Sequence, residues 1–313
     1  MSADLSTSIC KVKLRNPTVL ASGILGVTGS SLVNVARHGA GAVTTKSIGL
    51  NERAGHKNPI LLAFDAGLIN AVGLPCPGIE ESLYELRYAV ENSEAPVIAS
   101  LFASTASEFG VVAERVSRAK PAMIEVNISC PNVASEFGRP FALEATSAAR
   151  AVEAVQANTR LPIVAKLSPN ANNICDIARA VEEAGADAVS AVNTLGPGMI
   201  IDIHSAKPIL CNKTGGISGP ALRPIALRCV YDIYKAVDLP IIGIGGIDSG
   251  EAAIAMIMAG ARAVGIGSGI YYRGIDVFSS VCKEIQEFMD HGGYSRIDEM
   301  IGIAHEKEAR NQK

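Results

Sequence analysis

Eight short apolar runs punctuate the chain, centred near Val19, Val43, Val97, Ile124, Ile163, Val189, Ile241 and Val264. Longer stretches with apolar residues at helical spacing lie between most of them, at residues 108–119, 143–158, 174–184 and 223–236. Two signatures recur at the junctions. Gly-Ala-x-Ala-Val begins at Gly185 and at Gly260, with a close relative at Gly39. It reads as a helix stopped by a left-handed glycine before a buried strand. Proline followed by two branched residues begins at Pro96, Pro162 and Pro240. Proline is tolerated at the first position of a strand, where no ladder donor is yet needed.

Short apolar strands separated by helices predict parallel pairing, with both faces of the sheet buried. Eight such units closing on themselves predict an α/β fold, a (β/α)8 TIM barrel in one domain spanning residues 1–313. Insertions at residues 51–81 and 195–219 are expected to form the active-site cover. An open doubly wound sheet would carry a Gly-x-Gly-x-x-Gly turn after its first strand, and none is present. Residues 252–272 could pass for a membrane span, but Arg262 and four glycines make them helix, turn and strand.

Composition narrows the chemistry. The chain is 48% apolar and carries 28 Lys+Arg against 31 Asp+Glu, so it is neither disordered nor basic enough for nucleic acid. Seven scattered cysteines with no Cys-x-x-Cys pair argue against a disulfide scaffold and against structural zinc. The first ten residues lack a charged region followed by an apolar run, so no secretory signal is expected. A soluble, reduced, cytoplasmic protein acting on a small molecule is the expectation.

Barrel sites form at the C-terminal ends of the strands. Here those ends read Ser22-Gly23, Lys46-Ser47, Ser100, Asn127, Lys166, Asn193-Thr194, Gly245-Gly246 and Gly267-Ser268. Polar turn residues are ordinary, but two lysines among the strand ends point to function. Glycines after strands seven and eight let backbone N–H groups approach a phosphate. Ser218-Gly219-Pro220 is a second candidate anion-facing turn, or a good helix start. Cys130 lies just past strand four in Asn127-Ile128-Ser129-Cys130-Pro131-Asn132. The other six cysteines read as small buried hydrophobes. No histidine is near Cys130 in sequence, which leaves a protease-like dyad without support and general-base work open to the thiol.

These segments resemble class 1 dihydroorotate dehydrogenases, nearly end to end. The likeness rests on Ala21-Ser22-Gly23, Thr45-Lys46-Ser47, Asn70-Ala71-Val72-Gly73-Leu74, the cysteine segment, Lys166-Leu167-Ser168-Pro169-Asn170, Val192-Asn193-Thr194, the stretch from Thr214 to Pro220, and Gly243-Ile244-Gly245-Gly246. The resemblance implies an FMN barrel that oxidises dihydroorotate to orotate in pyrimidine synthesis. It implies that Cys130 removes the C5 proton while a hydride passes from C6 to the flavin. Lys46 would sit between flavin and substrate, and Lys166 would face the N1/O2 edge of the ring. Ser22, Ser47, Asn127 and Val192 would contact FMN, with Ser100 at a place where relatives often carry asparagine. Gly219, Gly245, Gly246, Gly267 and Ser268 would lie along the ribityl phosphate. The substrate would be held by Asn70, Ala71, Val72, Gly73 and Leu74, together with Lys46, Asn127, Asn132, Asn193 and Thr194.

Subtype follows from the same comparison. Cysteine rather than serine at position 130 resembles class 1. Asn-Ala-Val-Gly-Leu resembles type B, where type A typically has methionine before the glycine. The family implies a homodimer, and type B implies that electrons pass to NAD through a second subunit holding FAD and an iron–sulfur cluster. Cys76-Pro77-Gly78 departs from the Asn-Pro-Gly of many relatives, and Cys76 is read as incidental. Residues 133–141 have their own sequence and are expected to be a mobile lid over Cys130. Three readings compete: a dihydropyrimidine dehydrogenase-like FMN barrel, a Schiff-base aldolase using Lys46 or Lys166, and a non-catalytic binding barrel.

Overall fold

The computed structural model describes residues 3–128 and 141–305. Cys130, Asn132 and the expected lid, apart from Phe141, lie outside the described residues.

Each apolar run is a strand: β1 (Thr18–Leu20), β2 (Ala42–Thr44), β3 (Val97–Leu101), β4 (Met123–Asn127), β5 (Ile163–Leu167), β6 (Ala188–Ala191), β7 (Ile241–Ile244) and β8 (Ala263–Ile266). Neighbours pair in parallel and β8 pairs with β1, so the sheet closes into the expected barrel. Among the described residues the longer helices around it are α1 (Gly29–Arg37), α2 (Ile79–Asn92), α3 (Ala106–Ser117), α4 (Ala145–Gln156), α5 (Ile174–Glu183), α6 (Arg223–Ala236), α7 (Gly250–Met258) and α8 (Val277–Gly292). No helix among the described residues is long and apolar enough to cross a membrane. Residues 252–272 are helix, turn and strand as expected, but end in a short helix, Gly269–Arg273, that the reading did not include.

The junction signatures work as their chemistry requires. Gly39, Gly185 and Gly260 have φ of 105°, 94° and 122°, ending α1, α5 and α7 where a side chain would be strained. Pro96, Pro162 and Pro240 stand immediately before β3, β5 and β7. Their carbonyls accept from the amides of Val43, Ile124 and Val189 at 3.0, 2.9 and 3.1 Å, so each proline gives the ladder an acceptor although it has no N–H to donate.

Alternation along the strands sorts the barrel interior into layers. Val19, Ala42, Ile98, Met123, Val164, Ala188, Ile242 and Ala263, one from each strand, form an apolar floor. Ile9 and Leu14 of the N-terminal hairpin (Thr7–Ile9 paired with Val12–Leu14) plug it from below. Two residues further along, the same inward face carries Ser100, Glu125, Lys166 and Ser190, all buried. The intervening residues, such as Val97, Ile124, Val189 and Val264, face outward into the large core beneath the helices.

The two insertions meet in a four-stranded antiparallel sheet. Its order is Leu195–Gly198, Gly215–Ser218, Gly67–Asn70, Leu61–Phe64. Gly216 stands opposite Asn70 and Ile217 opposite Ile69, so segments about 150 residues apart in sequence are fixed against each other.

Candidate active site

The strand ends and the cover sheet enclose a cavity of about 290 Å³. Lys46 and Lys166 line it from the loop after β2 and from β5, and Asn127 lines it from β4. Asn193 and Thr194, just beyond β6, close one side, while Ser22, Val192 and Ser47 complete the barrel wall. Leu61, Leu68 and Asn70 reach in from the cover.

A hydrogen-bonded chain runs across the cavity floor. Asn127 Nδ2 donates to Ser47 Oγ at 2.9 Å, and Ser47 Oγ lies 3.0 Å from Ser100 Oγ. Ser100 Oγ donates to Glu125 Oε1 at 2.9 Å, and Ser190 Oγ donates to Glu125 Oε2 at 2.9 Å. Lys166 Nζ is 3.6 Å from Glu125 Oε1. Ser22 Oγ donates to the Thr45 carbonyl at 2.8 Å, so its side chain is held at the edge of the same network. Buried polar groups need such partners to be tolerated at all.

Glycines shape the opposite wall. Gly219, Gly245, Gly246 and Gly267 all line the cavity, together with Ser268. Gly246 has φ of 66°, and a Cβ there would lie 2.6 Å from the Gly219 carbonyl oxygen. Arg223 fastens this turn: its Nε donates to the Gly246 carbonyl at 2.8 Å and its Nη2 to Asp248 at 2.6 Å. Gly267 differs, because a Cβ there would meet only Ala21, at 3.7 Å. Packing does not demand glycine at that position, and its absent side chain leaves room beside the cavity. Gly246→Ala should cost at least about 1–2 kcal/mol of stability from the left-handed backbone alone. Urea unfolding of the variant against the parent protein measures that loss.

The segment from Asn70 to Leu74 hangs from the cover sheet and is strapped from outside. Arg53 Nε donates to the Gly73 carbonyl at 2.7 Å, and the His56 amide donates to the Val72 carbonyl at 3.0 Å. Asn70, Val72, Gly73 and Leu74 line the cavity. Ala71 does not: it is fully buried in a small apolar cluster with Ile69 and Leu210, because the strand-like alternation turns it away.

Ser100 is also displaced from its expected place. It is fully buried one layer below the cavity wall, where its hydroxyl is spent on Ser47 and Glu125. It supports the wall without lining it. Of the other cysteines, only Cys76 is buried; it packs with Leu74 and Phe102 behind Lys46, outside the main cavity. Cys211 is exposed, contrary to the expectation of a buried hydrophobe, because it sits on a surface loop of the second insertion. Burial pushes the thiol of Cys10 up to about 12 and those of Cys229 and Cys282 up to about 11, so they stay protonated near neutral pH.

Sequence reasoning passed over Glu125, Ser190, Arg223, Arg53 and His56. Only Glu125 left a signal, as a carboxylate set inside the apolar run Met123-Ile124-Glu125-Val126. Among the described residues no cluster of three or more His, Cys, Asp or Glu side chains could hold a metal ion.

The chain is similar to known proteins in sequence and in fold. The family model described as dihydroorotate dehydrogenase matches residues 4–289. The chain is 45% identical over 302 residues to a protein of Methanothermobacter thermautotrophicus, covering 96% of this chain and 99% of that one. It is 48% identical over 307 residues to one of Methanosarcina mazei, covering 96% of each. Both relatives are named dihydroorotate dehydrogenase B (NAD(+)), catalytic subunit. Among solved structures, the dihydroorotate dehydrogenase of Eimeria tenella in complex with ferulenol superposes with a TM-score of 0.84. That structure shares 22% identity, with 96% of this chain and 89% of that one covered, and speaks for the fold.

Proposed function

The chain belongs to the dihydroorotate dehydrogenase family, and on that premise we propose that it oxidises dihydroorotate to orotate in pyrimidine synthesis, as the catalytic subunit of a type B, NAD-linked enzyme. The observation that carries this reading is convergence. Two lysines, a glycine wall and the Asn-Ala-Val-Gly-Leu segment, scattered over some 200 residues of sequence, surround one cavity.

The residues present fit FMN. Gly219, Gly245, Gly246 and Gly267, with Ser268, offer a side-chain-free wall suited to a phosphate and its ribityl chain. Ser22, Ser47, Asn127 and Val192 line the same cavity and would supply polar and apolar contacts for a flat ring, to which Lys166 would present a cation. Bound FMN provides the acceptor for the hydride leaving C6 of the substrate.

The chain's own residues do the rest. Lys46 and Lys166 favour negative charge developing in the cavity, as preorganised electrostatic catalysis requires. Asn70, Asn193 and Thr194, with Asn127 and Asn132, hold a ring of amides bearing a carboxylate, matching each buried polar group with a partner. The Cys130 thiolate takes the C5 proton. Leu61 and Leu68 of the cover place apolar surface against the cavity.

We assign the protein to the cytoplasm, as one barrel domain forming a homodimer. No Cys-x-x-Cys pair and no Gly-x-Gly-x-x-Gly turn follow a strand here. FAD and an iron–sulfur cluster would therefore come from a partner subunit. The aldolase and binding-barrel readings fall away with family membership, and the names of the relatives favour dihydroorotate over dihydropyrimidines.

The purified protein should be yellow and should bleach when dihydroorotate is added without oxygen. Flavin that stays oxidised under those conditions overturns the substrate assignment. Adding NAD with and without copurifying subunits then tests the acceptor.

A further inference from the structure

Glu125 carries more than a structural duty. It stands on β4 in the polar layer beneath the cavity and is only 4% exposed, as is Lys166 on β5. Its two oxygens are fixed separately, one by Ser100 and one by Ser190, each at 2.9 Å. That leaves the carboxylate a single orientation, with Oε1 3.6 Å from the Lys166 ammonium. Lys166 lines the cavity and Glu125 does not, so the carboxylate backs the ammonium from the side away from any bound ring. Lys46 and Lys166 are the charged side chains lining the cavity among the described residues.

An isolated ammonium beside a flavin favours its negatively charged reduced form. A carboxylate fixed behind that ammonium cancels part of this preference. We infer that Glu125 is a positioning and charge-balancing residue: it anchors the Lys166 ammonium at the cavity floor and keeps the reduced flavin a strong enough electron donor for a low-potential acceptor. This rests on the flavin reading above.

The test is the midpoint potential of the bound flavin, measured by equilibration with reference dyes in the parent holoenzyme, Glu125→Gln and Glu125→Asp. Glu125→Gln keeps the shape and removes one negative charge. It is expected to raise the equilibrium constant for two-electron reduction at least tenfold, about 30 mV. Glu125→Asp, whose carboxylate is drawn back by one methylene, should move the potential the same way by less. A purely structural role would alter stability or flavin retention and leave the potential of the flavin that stays bound unchanged. An unchanged or lowered potential in Glu125→Gln overturns the inference. Should that variant not fold, an unchanged potential in Glu125→Asp does so. A parent protein that holds no flavin would instead defeat the cofactor reading itself.

Discussion

Serine in place of Cys130 is expected to leave flavin bound and to slow its reduction by dihydroorotate about 10²- to 10⁴-fold at neutral pH. A cysteine thiol ordinarily loses its proton near pH 8.5, which leaves a few per cent as thiolate at pH 7. A serine hydroxyl supplies essentially no alkoxide there. Among the described residues no cysteine lines the cavity to take over. Cys10, Cys229 and Cys282 are held protonated by burial, and Cys76 lies behind the cavity wall. Anaerobic stopped-flow reduction reads the effect directly. The parent rate should climb with pH as the thiolate fraction grows and level off once the thiol is ionised. The serine variant should still be climbing where the parent has levelled. Near-parental reduction by Cys130→Ser at pH 7 would remove the thiol from the proposed chemistry.

The second large effect concerns stability. Lys166→Met removes the cation from a pair in which both members are almost wholly buried. Breaking such a pair on one side leaves an uncompensated charge in the interior and costs about 3–5 kcal/mol. The asymmetry of the site adds to this. Glu125 is buried and does not line the cavity, and its serine partners cannot replace a positive charge. Replacing both members together, as Lys166→Met with Glu125→Gln, removes the orphan charge and should recover most of the loss. Urea unfolding of the flavin-free proteins gives the comparison. A Lys166→Met variant within about 1 kcal/mol of the parent, the range of an exposed pair, would mean that the contact contributes little.

Much of this architecture is local and was legible as such. Proline before β3, β5 and β7 and glycine after α1, α5 and α7 are single-residue conformational constraints, so they mark element ends without reference to the rest of the fold. Strand ends bearing Lys46, Asn127, Lys166 and Gly245-Gly246 could be read as a site because a parallel barrel gathers those ends on one face. Ser100 and Ala71 show where that reasoning stops. Each belongs to the right segment, yet one points into the layer below the cavity and the other into the cover's own core.

What the sequence determined by itself was the order of elements, their approximate ends and the set of polar residues at one rim, since turn chemistry and periodicity act within a few neighbouring residues. What only the tertiary structure decided was which side chains meet. Glu125 and Lys166 belong to adjacent strands separated by a full helical crossover, and Asn70 faces Gly216 across a sheet assembled from two distant insertions. Strands buried on both faces show no alternation of polar and apolar residues along the chain. Inward and outward are therefore assigned only when the barrel closes.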